Sequence, residues 1–278
     1  MDYLFHYTSM ETLALILSNR TICFNNLLNV DDIEEAETGD MGQFGRFVYV
    51  SCWTEDTEES IPLWNLYTPN MHGVRIKLPK FPFKKFYYKK GELFLTQDVE
   101  TFINIQKVYD EDKISIVAEQ PKLFSVEYTN NSDKLFPKIK HESYDGAFEE
   151  FLQAKDLSDF KDKKFSISYD LSNIGKCKRK SWEFQKEWRY SLSVSPMGLQ
   201  ENNPPSLEKQ QELLKRISNT SLVPHYNRIF LDIDDTALDS MEVVLGPKMT
   251  NSEKILVKSL LNQYCPNCQY RDSSLRIR

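Results

Sequence analysis

The sequence lacks a long hydrophobic run. The longest apolar stretch near its start, Leu13 to Leu17, is too short for the hydrophobic core of a signal peptide or for a membrane span, and no basic segment precedes it. We therefore expect a soluble, cytoplasmic protein that has no membrane partner.

Two further classes of motif are missing. The five cysteines are an odd number spread along the chain, and only Cys265 and Cys268 form a CxxC pair, so their spacing predicts neither a disulfide framework nor a four-ligand zinc site. The sequence also has no P-loop and no dinucleotide-binding glycine fingerprint. We expect reduced thiols and no bound metal.

The composition is that of a folded globular chain. Of the 278 residues, 40% are hydrophobic and 27% are charged, and the formal net charge is -6. A net negative charge argues against a surface that coats nucleic acid everywhere, but it leaves room for a local basic patch.

The chain begins with a strand, helix, strand pattern. DYLFHYTSMETLALILSNRTICF places His6 at the end of a first strand, Ser9 at a helix N-cap, and apolar residues at helical spacing up to Asn19. Strands dominate the order, without the regular alternation of a doubly wound sheet. We predict one α+β domain over residues 1–278, with an inserted region over about 81–175.

Further helices are predicted at three places. One covers Tyr144 to Gln153, one follows an N-cap at Ser206, and the last begins at an N-cap supplied by Asn251 or Ser252. They lie between predicted strands, which is consistent with the α+β class.

A polar interruption opens one of the predicted strands. In WEFQKEWRYSLSV, from Trp182 to Val194, side chains alternate between two faces, so Gln185, Glu187 and Arg189 share one face. A glutamate at a strand start is commonly a solvated residue paired with a neighbour such as Arg189. The alternative is a catalytic carboxylate with Gln185 beside it.

The order of short motifs resembles a known group. HYT near the start is followed by SCW, LWNLY, HGV, KSWEFQKEWR and VVLGPKM. This order resembles a bacterial family of uncharacterised function with an N-terminal HYT motif and a late Gln/Glu-x-Glu-Trp-Arg motif, and through it the ADP-ribosyltransferase-like superfamily. The resemblance implies an α+β fold in which two small antiparallel-rich sheets and peripheral helices surround an NAD cleft.

The resemblance also implies roles for individual residues. Glu187 would be catalytic, because breaking the nicotinamide–ribose bond develops oxocarbenium character that a carboxylate stabilises, and Gln185 would orient the acceptor. Tyr7 stands where related sequences carry glycine. The residues implied to contact NAD, which is a substrate here, are His6, Tyr7, Thr8, Ser51, Trp64 and Tyr67.

A basic, aromatic segment suggests the acceptor. KLPKFPFKKFYYKK, from Lys77 to Lys90, holds six lysines and five aromatic residues without an acid, and KCKRK follows at residues 176–180. This pattern suits single-stranded nucleic acid, although a strand with a buried aromatic face and a solvated lysine face explains it equally well. We predict that the acceptor, with RNA or single-stranded DNA favoured, contacts Lys84, Lys85, Tyr87 and Arg189.

The predicted function is mono-ADP-ribosyl transfer, which in this superfamily would suit a bacterial toxin with an antitoxin partner or an anti-phage effector. The alternatives are a protein-directed transferase and a catalytically silent module that binds nucleotide or nucleic acid. A third alternative is a phosphatase. The segment FLDIDDTALD resembles the nucleophile motif of haloacid-dehalogenase-like phosphatases, with Asp232 as nucleophile and Asp234 as acid/base. It lies too late in the chain for the rest of that site, so we predict an acidic turn there.

Overall fold

The structure is a computed structural model. It describes residues 2–110, 115–116, 120–142, 167–195 and 226–278, together with positions 150, 153, 206, 208, 209, 211, 212, 215 and 224. The helices predicted over Tyr144 to Gln153 and after Ser206 therefore lie almost wholly outside the described residues.

The described residues form a mixed α+β structure that is rich in strands. The strands, numbered along the chain, are β1 (Tyr3–Thr8), β2 (Thr21–Asn26), β3 (Val48–Thr54), β4 (Val74–Pro79), β5 (Phe86–Tyr88), β6 (Val99–Thr101), β7 (Ser115–Ile116), β8 (Lys122–Ser125), β9 (Glu127–Tyr128), β10 (Lys140–Glu142), β11 (Ile167–Tyr169), β12 (Cys177–Lys178), β13 (Glu187–Ser195), β14 (Arg228–Asp232), β15 (Glu242–Leu245) and β16 (Gln269–Asp272).

The α-helices whose bounds the structure describes are few and mostly short. They are α1 (Met10–Asn19), α2 (Ile61–Tyr67), α3 (Ile105–Asp110), α4 (Ser132–Leu135), α5 (Asp235–Asp239) and α6 (Asn251–Tyr264). Within the part of the chain that the structure describes, no helix is both long and apolar enough to cross a membrane.

The main sheet forks at β3. One edge of β3 pairs antiparallel with β13 over seven residue pairs. On the other edge, β2 pairs with Tyr49 and Val50, whereas β1 pairs with Thr54. The strands β1 and β2 therefore diverge across the segment 51–53, and a gap opens in the sheet at that point.

The fork divides ten connected strands into two arms. One arm continues from β2 to β14, and the other continues from β1 through β4 and β15 to β16, while β7 and β8 extend the sheet beyond β13. Three two-stranded sheets lie apart from this network. The α+β class is confirmed, but ten of the described strands form one forked sheet where two small sheets were predicted, because β3 is paired along both edges.

The predicted start of the chain is confirmed. Ser9 is the N-cap of α1 and accepts a hydrogen bond from the Thr12 backbone at 3.2 Å. Leu13, Ile16 and Leu17 are buried, as their helical spacing predicts. The helix ends where Arg20 adopts a left-handed conformation with φ of 54°.

The N-cap predicted for the last helix is wrong by one residue. Thr250, not Asn251 or Ser252, caps α6. The Thr250 side chain accepts from the Glu253 backbone at 3.3 Å, and the Glu253 carboxylate accepts from the Thr250 backbone at 2.7 Å. This reciprocal capping box satisfies two backbone donors at once, which a cap at either following residue does not achieve.

The thiols of the CxxC pair are also not free. Cys265 is the C-cap of α6, and a tight turn brings Cys268 back to it, with a Cα–Cα distance of 5.4 Å and a disulfide between the two residues. That separation lies in the range that disulfides require, so the expectation of reduced thiols is wrong for this pair. Cys23, Cys52 and Cys177 are free.

The glycine of the HGV motif serves close packing within the arm that runs from β1 through β4 and β15 to β16. A Cβ atom added to Gly73 would lie 2.2 Å from the Thr8 carbonyl oxygen and 2.6 Å from Thr68 Cβ. The Gly73 carbonyl also accepts from the Gly246 backbone at 2.9 Å. Only glycine fits where β1 and the segment before β4 approach this closely.

Candidate functional site at the sheet fork

Four buried charged side chains form a network at the start of β13. Arg189 Nε donates to one Glu187 oxygen, and Lys178 Nζ lies 2.9 Å from the other. Arg189 Nη1 donates to Glu35, whose second oxygen lies 3.2 Å from Lys178 Nζ. No residue of the four is more than 4% exposed. The two positive and two negative formal charges of the network cancel.

This network keeps Glu187 ionised. Burial by itself would raise the carboxyl pKa, but the charges of Arg189 and Lys178 and the hydrogen bond from Arg189 outweigh it and lower the pKa of Glu187 to about 2. Burial and Arg189 act to lower the pKa of Lys178, yet Glu187 and Glu35 raise it. Both side chains are therefore charged at neutral pH.

Gln185 connects this network to α2. Its side-chain oxygen accepts from Lys178 Nζ at 2.8 Å, and its side-chain nitrogen donates to the Tyr67 hydroxyl oxygen at 2.7 Å. The sequence analysis placed Gln185 on the strand. In the structure it is instead the last residue of a 3-10 helix over Lys180–Gln185. Lys186 then adopts a left-handed conformation with φ of 43°, so β13 begins only at Glu187.

His6 closes the open edge of β3. Its Nδ1 lies 2.7 Å from the Cys52 carbonyl oxygen, at the point where β1 and β2 diverge and leave that carbonyl without a strand neighbour. Because a carbonyl only accepts, Nδ1 is the donor and Nε2 carries the lone pair of the neutral ring. Burial lowers the pKa of His6, so the ring is neutral at pH 7.

Two neighbouring cavities lie at the fork. The smaller has a volume of about 50 Å³ and brings together His6, Tyr7, Tyr67, Gln185 and Glu187. Its other walls are largely apolar and come from Phe5, Cys52, Trp53, Thr54 and Leu63. Five residues that the sequence analysis assigned to three distant segments thus meet around one space.

The larger cavity is a cleft of about 480 Å³ that shares His6, Tyr7 and Tyr67 with the smaller one. Thr8, Ser51 and Arg189 also line it. Its volume is in the range of ligand-binding pockets, and its walls carry hydroxyl, amide and guanidinium groups. A polar ligand the size of a nucleotide fits such a cleft.

Other predicted NAD contacts have structural partners. Trp64 is fully buried and packs edge to face against Tyr7, at 4.9 Å between ring centroids. Its indole nitrogen donates to Glu59 at 3.2 Å, and it lines neither cavity. Ser51 accepts from Trp53 Nε1 at 3.0 Å and projects from the face of β3 opposite to Cys52.

The residues predicted to bind the acceptor do not form one surface. Arg189 is fully buried within the ion network. Lys84, Lys85 and Tyr87 line a different groove, which shares no residue with the two cavities at the fork. Lys85 Nζ pairs with Glu100 at 2.6 Å.

The KCKRK segment is also largely paired. Lys178 lies inside the network, Arg179 donates twice to Glu34, and Lys176 donates to Asn173 at 3.2 Å. Three of the four cations of this segment, Lys176, Lys178 and Arg179, therefore already have a partner among the described residues.

Sequence analysis missed three residues of the site. The sequence analysis counted Lys178 only as part of the basic segment at residues 176–180, and it gave Glu35 and Cys52 no role. The register pairs Arg189 with Cys52, and the Cys52 thiol is hydrogen-bonded to Glu187, so burial and Glu187 raise its pKa well above the usual value. Nothing in the local sequence marks Lys178 as buried, because the segment around it is rich in lysine.

Residues 63–190 match one family model. It is described as a protein of unknown function, DUF2971, and the match covers less than half of the chain. It includes Tyr67, Lys178, Gln185, Glu187 and Arg189 but leaves β1 and β3 outside. Comparisons with curated proteins and with solved structures gave no match.

The phosphatase-like motif has a structural explanation. Asp234 is the N-cap of α5 and accepts from the Thr236 backbone at 2.9 Å. Asp232 ends β14, which pairs antiparallel with β2 at the end of one sheet arm. Among the described residues, no group of three or more metal-binding side chains comes together.

Proposed function

We propose that the protein transfers ADP-ribose from NAD to a macromolecular acceptor. The observation that carries this proposal is the meeting of His6, Tyr67, Gln185 and Glu187 around one small cavity beside a nucleotide-sized cleft. An ionised carboxylate, a neutral imidazole, a phenol and an amide thus line one space. A glycosidic carbon that enters this space would face the Glu187 carboxylate.

In ADP-ribose transfer the protein mainly positions the reactants and stabilises the charge that develops on the ribose. The nicotinamide–ribose bond breaks, nicotinamide leaves with the bonding electron pair, and the acceptor nucleophile bonds to the ribose carbon and loses a proton. Glu187 would stabilise the positive charge that develops on the ribose, as carboxylates do in glycoside cleavage. Its low pKa keeps it ionised for this role without a prior proton transfer.

The polar walls of the larger cleft fit the remainder of NAD. Thr8 and Ser51 supply hydroxyl groups there, and the guanidinium of Arg189 has one nitrogen, Nη2, that is buried and has no hydrogen-bond partner among the described residues. That nitrogen is a donor for a ligand oxygen at the cleft wall.

A nucleic-acid acceptor has weaker support. Lys84, Lys85 and Tyr87 share a groove of about 740 Å³ with Phe81 and other aromatic residues, which suits stacked bases. The groove is separate from the cleft, and Lys85 is already paired. RNA or single-stranded DNA is therefore proposed together with the alternative of a protein acceptor.

Turnover of labelled NAD tests the proposal. Pure protein is incubated with labelled NAD and with RNA, single-stranded DNA or protein fractions, and released nicotinamide and labelled acceptor are measured. We expect turnover in the wild type and a loss of at least about 100-fold in Glu187→Gln, the effect of removing one preorganised electrostatic group. A wild type that neither releases nicotinamide nor labels any fraction contradicts the proposal.

Glu35→Gln is the matched control. Glu35 is as buried as Glu187 and pairs with the same Arg189 and Lys178, but it lines neither cavity. Both variants leave a buried cation short of one partner, so we expect similar losses of stability, about 3 kcal/mol each. Turnover should stay within about tenfold of wild type in Glu35→Gln. Equal losses of activity in the two variants would mean that Glu187 is only structural.

One observation favours a second candidate function. Both oxygens of Glu187 are occupied by Arg189 and Lys178, so the carboxylate is electrically balanced in the described structure. This arrangement also suits a catalytically silent nucleotide-binding module of the same fold. Such a module would bind NAD in a titration without releasing nicotinamide, and Glu187→Gln would leave the affinity unchanged.

A further inference from the structure

The disulfide between Cys265 and Cys268 lies where the chain turns from α6 into β16. Cys265 is the C-cap of α6, and the Cys268 backbone donates to the Cys265 carbonyl oxygen at 3.0 Å, which closes the turn between the two residues. Cys268 directly precedes β16, which pairs with β15 in a parallel register. The position of Cys268 therefore determines where β16 starts against β15.

The segment 269–278, which we call the strap, connects this disulfide to the candidate site. Its apolar residues Leu275 and Ile277 pack against a cluster around α2, whose buried members are Tyr7, Leu63, Trp64, Met71 and Val244. Tyr7 and Leu63 also line the small cavity. The strap thus covers the cluster that forms part of the cavity wall.

One buried carboxylate ties the strap to α2. The side chain of Glu59 is 3% exposed, and it accepts from Ser273 Oγ, from the Ser274 backbone at 2.9 Å and from Ser274 Oγ at 3.0 Å. Trp64 Nε1, at 3.2 Å, is its donor on α2. Burial by itself would raise the carboxyl pKa, but the hydrogen bonds from Ser273 and Ser274 outweigh it and lower the pKa of Glu59. If the strap left, this buried charge would lose most of its donors, so docking of the strap and the packing of α2 are coupled.

The surroundings of the two sulfurs suit both redox states. The Leu238 carbonyl oxygen lies 3.2 Å from Cys265 Sγ and 3.4 Å from Cys268 Sγ, so it can accept a hydrogen bond from either thiol after reduction. Without the bond, two sulfurs must move apart from about 2 Å to about 4 Å, a van der Waals contact. Cys265 is held at the end of α6 by its backbone hydrogen bond to Leu261 at 2.8 Å, so this displacement falls on Cys268 and the start of β16.

We propose that Cys265 and Cys268 form a dithiol–disulfide switch, that a dithiol reductant opens it, and that its state controls the docking of the strap against α2. A thiolate of the reductant attacks one sulfur, the bond between the cysteines breaks, and the released cysteine takes up a proton. The second thiol of the reductant attacks the mixed disulfide, so the reductant leaves as a disulfide and both cysteines end as thiols. Because the bond closes the loop of residues 265–268, it restricts the undocked strap, and the reduced chain undocks more readily.

Hydrogen exchange followed by mass spectrometry tests the switch on the full chain. Exchange is measured with and without dithiothreitol, a small dithiol, in the strap, in α2 and in β14, which lies in the other arm of the sheet and serves as the reference. The double variant Cys265→Ser, Cys268→Ser imitates the reduced state. Cys177→Ser is the matched control, because Cys177 is a free, half-buried cysteine outside the strap. The arm with wild-type protein needs no substitution, so it decides the question even if the double variant fails to fold.

We expect dithiothreitol to raise the exchange rate of the strap amides about tenfold, to raise that of α2 in the same direction, and to leave β14 unchanged. The double variant should exchange at the faster rate with or without dithiothreitol, and Cys177→Ser should respond as the wild type does. Three results overturn the switch: a strap whose exchange does not respond to reduction, an equal rise in β14, or Cys265 and Cys268 that are still alkylated as free thiols after treatment with oxidised dithiothreitol.

The switch goes beyond the proposed function and does not depend on it. If the strap responds to dithiothreitol but the protein releases no nicotinamide from NAD in either redox state, the switch stands and the transferase proposal fails. If the protein turns over NAD but the strap does not respond, the transferase proposal stands and the switch is wrong. Where both hold, turnover should fall on reduction, because α2 carries Tyr67; equal turnover in the two states would overturn the coupling of the strap to α2.

Discussion

Acid titration of Glu187 should weaken the folded state by a calculable amount. The surroundings lower the pKa of this carboxyl from 4.5 to about 2, and the residue is 4% exposed, so solvent does little to screen the effect. At 1.36 kcal/mol per pKa unit, the ionised form contributes about 3 kcal/mol to the free energy of unfolding. Because the folded pKa is the lower one, this contribution is complete above about pH 4.5 and is lost as the pH falls through about 2.

Urea unfolding at several pH values measures this contribution. We expect Glu187→Gln to be less stable than the wild type at about pH 7 and the gap to shrink by about 2 kcal/mol on going to about pH 3, since glutamine does not titrate. Glu100→Gln is the control, because Glu100 pairs with Lys85 on the surface with side chains about half exposed. Its gap should stay within about 0.5 kcal/mol. A gap for Glu187→Gln that is constant with pH would refute the assignment of a buried, ionised Glu187.

Two further substitutions test the fold around the site. Asp234→Ala removes the N-cap of α5 and should lower the free energy of unfolding by about 1 kcal/mol in a urea titration, while NAD turnover stays unchanged. A phosphatase role would instead make Asp234 essential to phosphate hydrolysis. Gly73→Ala places a methyl group 2.2 Å from the Thr8 carbonyl oxygen and should cost about 2 kcal/mol or more by the same measurement; stability equal to wild type would show that β1 and the segment before β4 separate freely.

Local sequence patterns predicted correctly those elements in which the residues that the apolar spacing selects are also the residues that the fold buries. The apolar spacing and the Ser9 cap predicted α1 correctly, because its buried residues are the ones that the 3.6-residue period selects. The period-two argument put Gln185 and Glu187 on one face, but the structure achieves this by a different route. A 3-10 helix and the left-handed Lys186 bring Gln185 back toward the cavity before the strand begins.

Long-range partners could not be predicted from local sequence. Lys178 lies in a lysine-rich segment that is typical of a solvated surface, and nothing within its neighbourhood shows that Glu35 is folded against it from the other end of the chain. The pairing depends on β13 lying beside β3 and on the short helix at Ile33–Ala36 covering them. The same limit applies to His6, whose partner is a carbonyl that is open only because two other strands diverge.

The full pairing of Glu187 restricts how it can act in catalysis. A carboxylate held by Arg189 and Lys178 is fixed and ionised, as electrostatic stabilisation requires, but the two cations cancel most of its field beyond a few ångströms. Stabilisation of a ribose cation then needs direct contact with a carboxylate oxygen, and the small cavity is a space that Glu187 lines. A ligand held only in the larger cleft would gain little from Glu187. The transferase proposal therefore depends on the reacting carbon reaching the part of the small cavity that Glu187 lines.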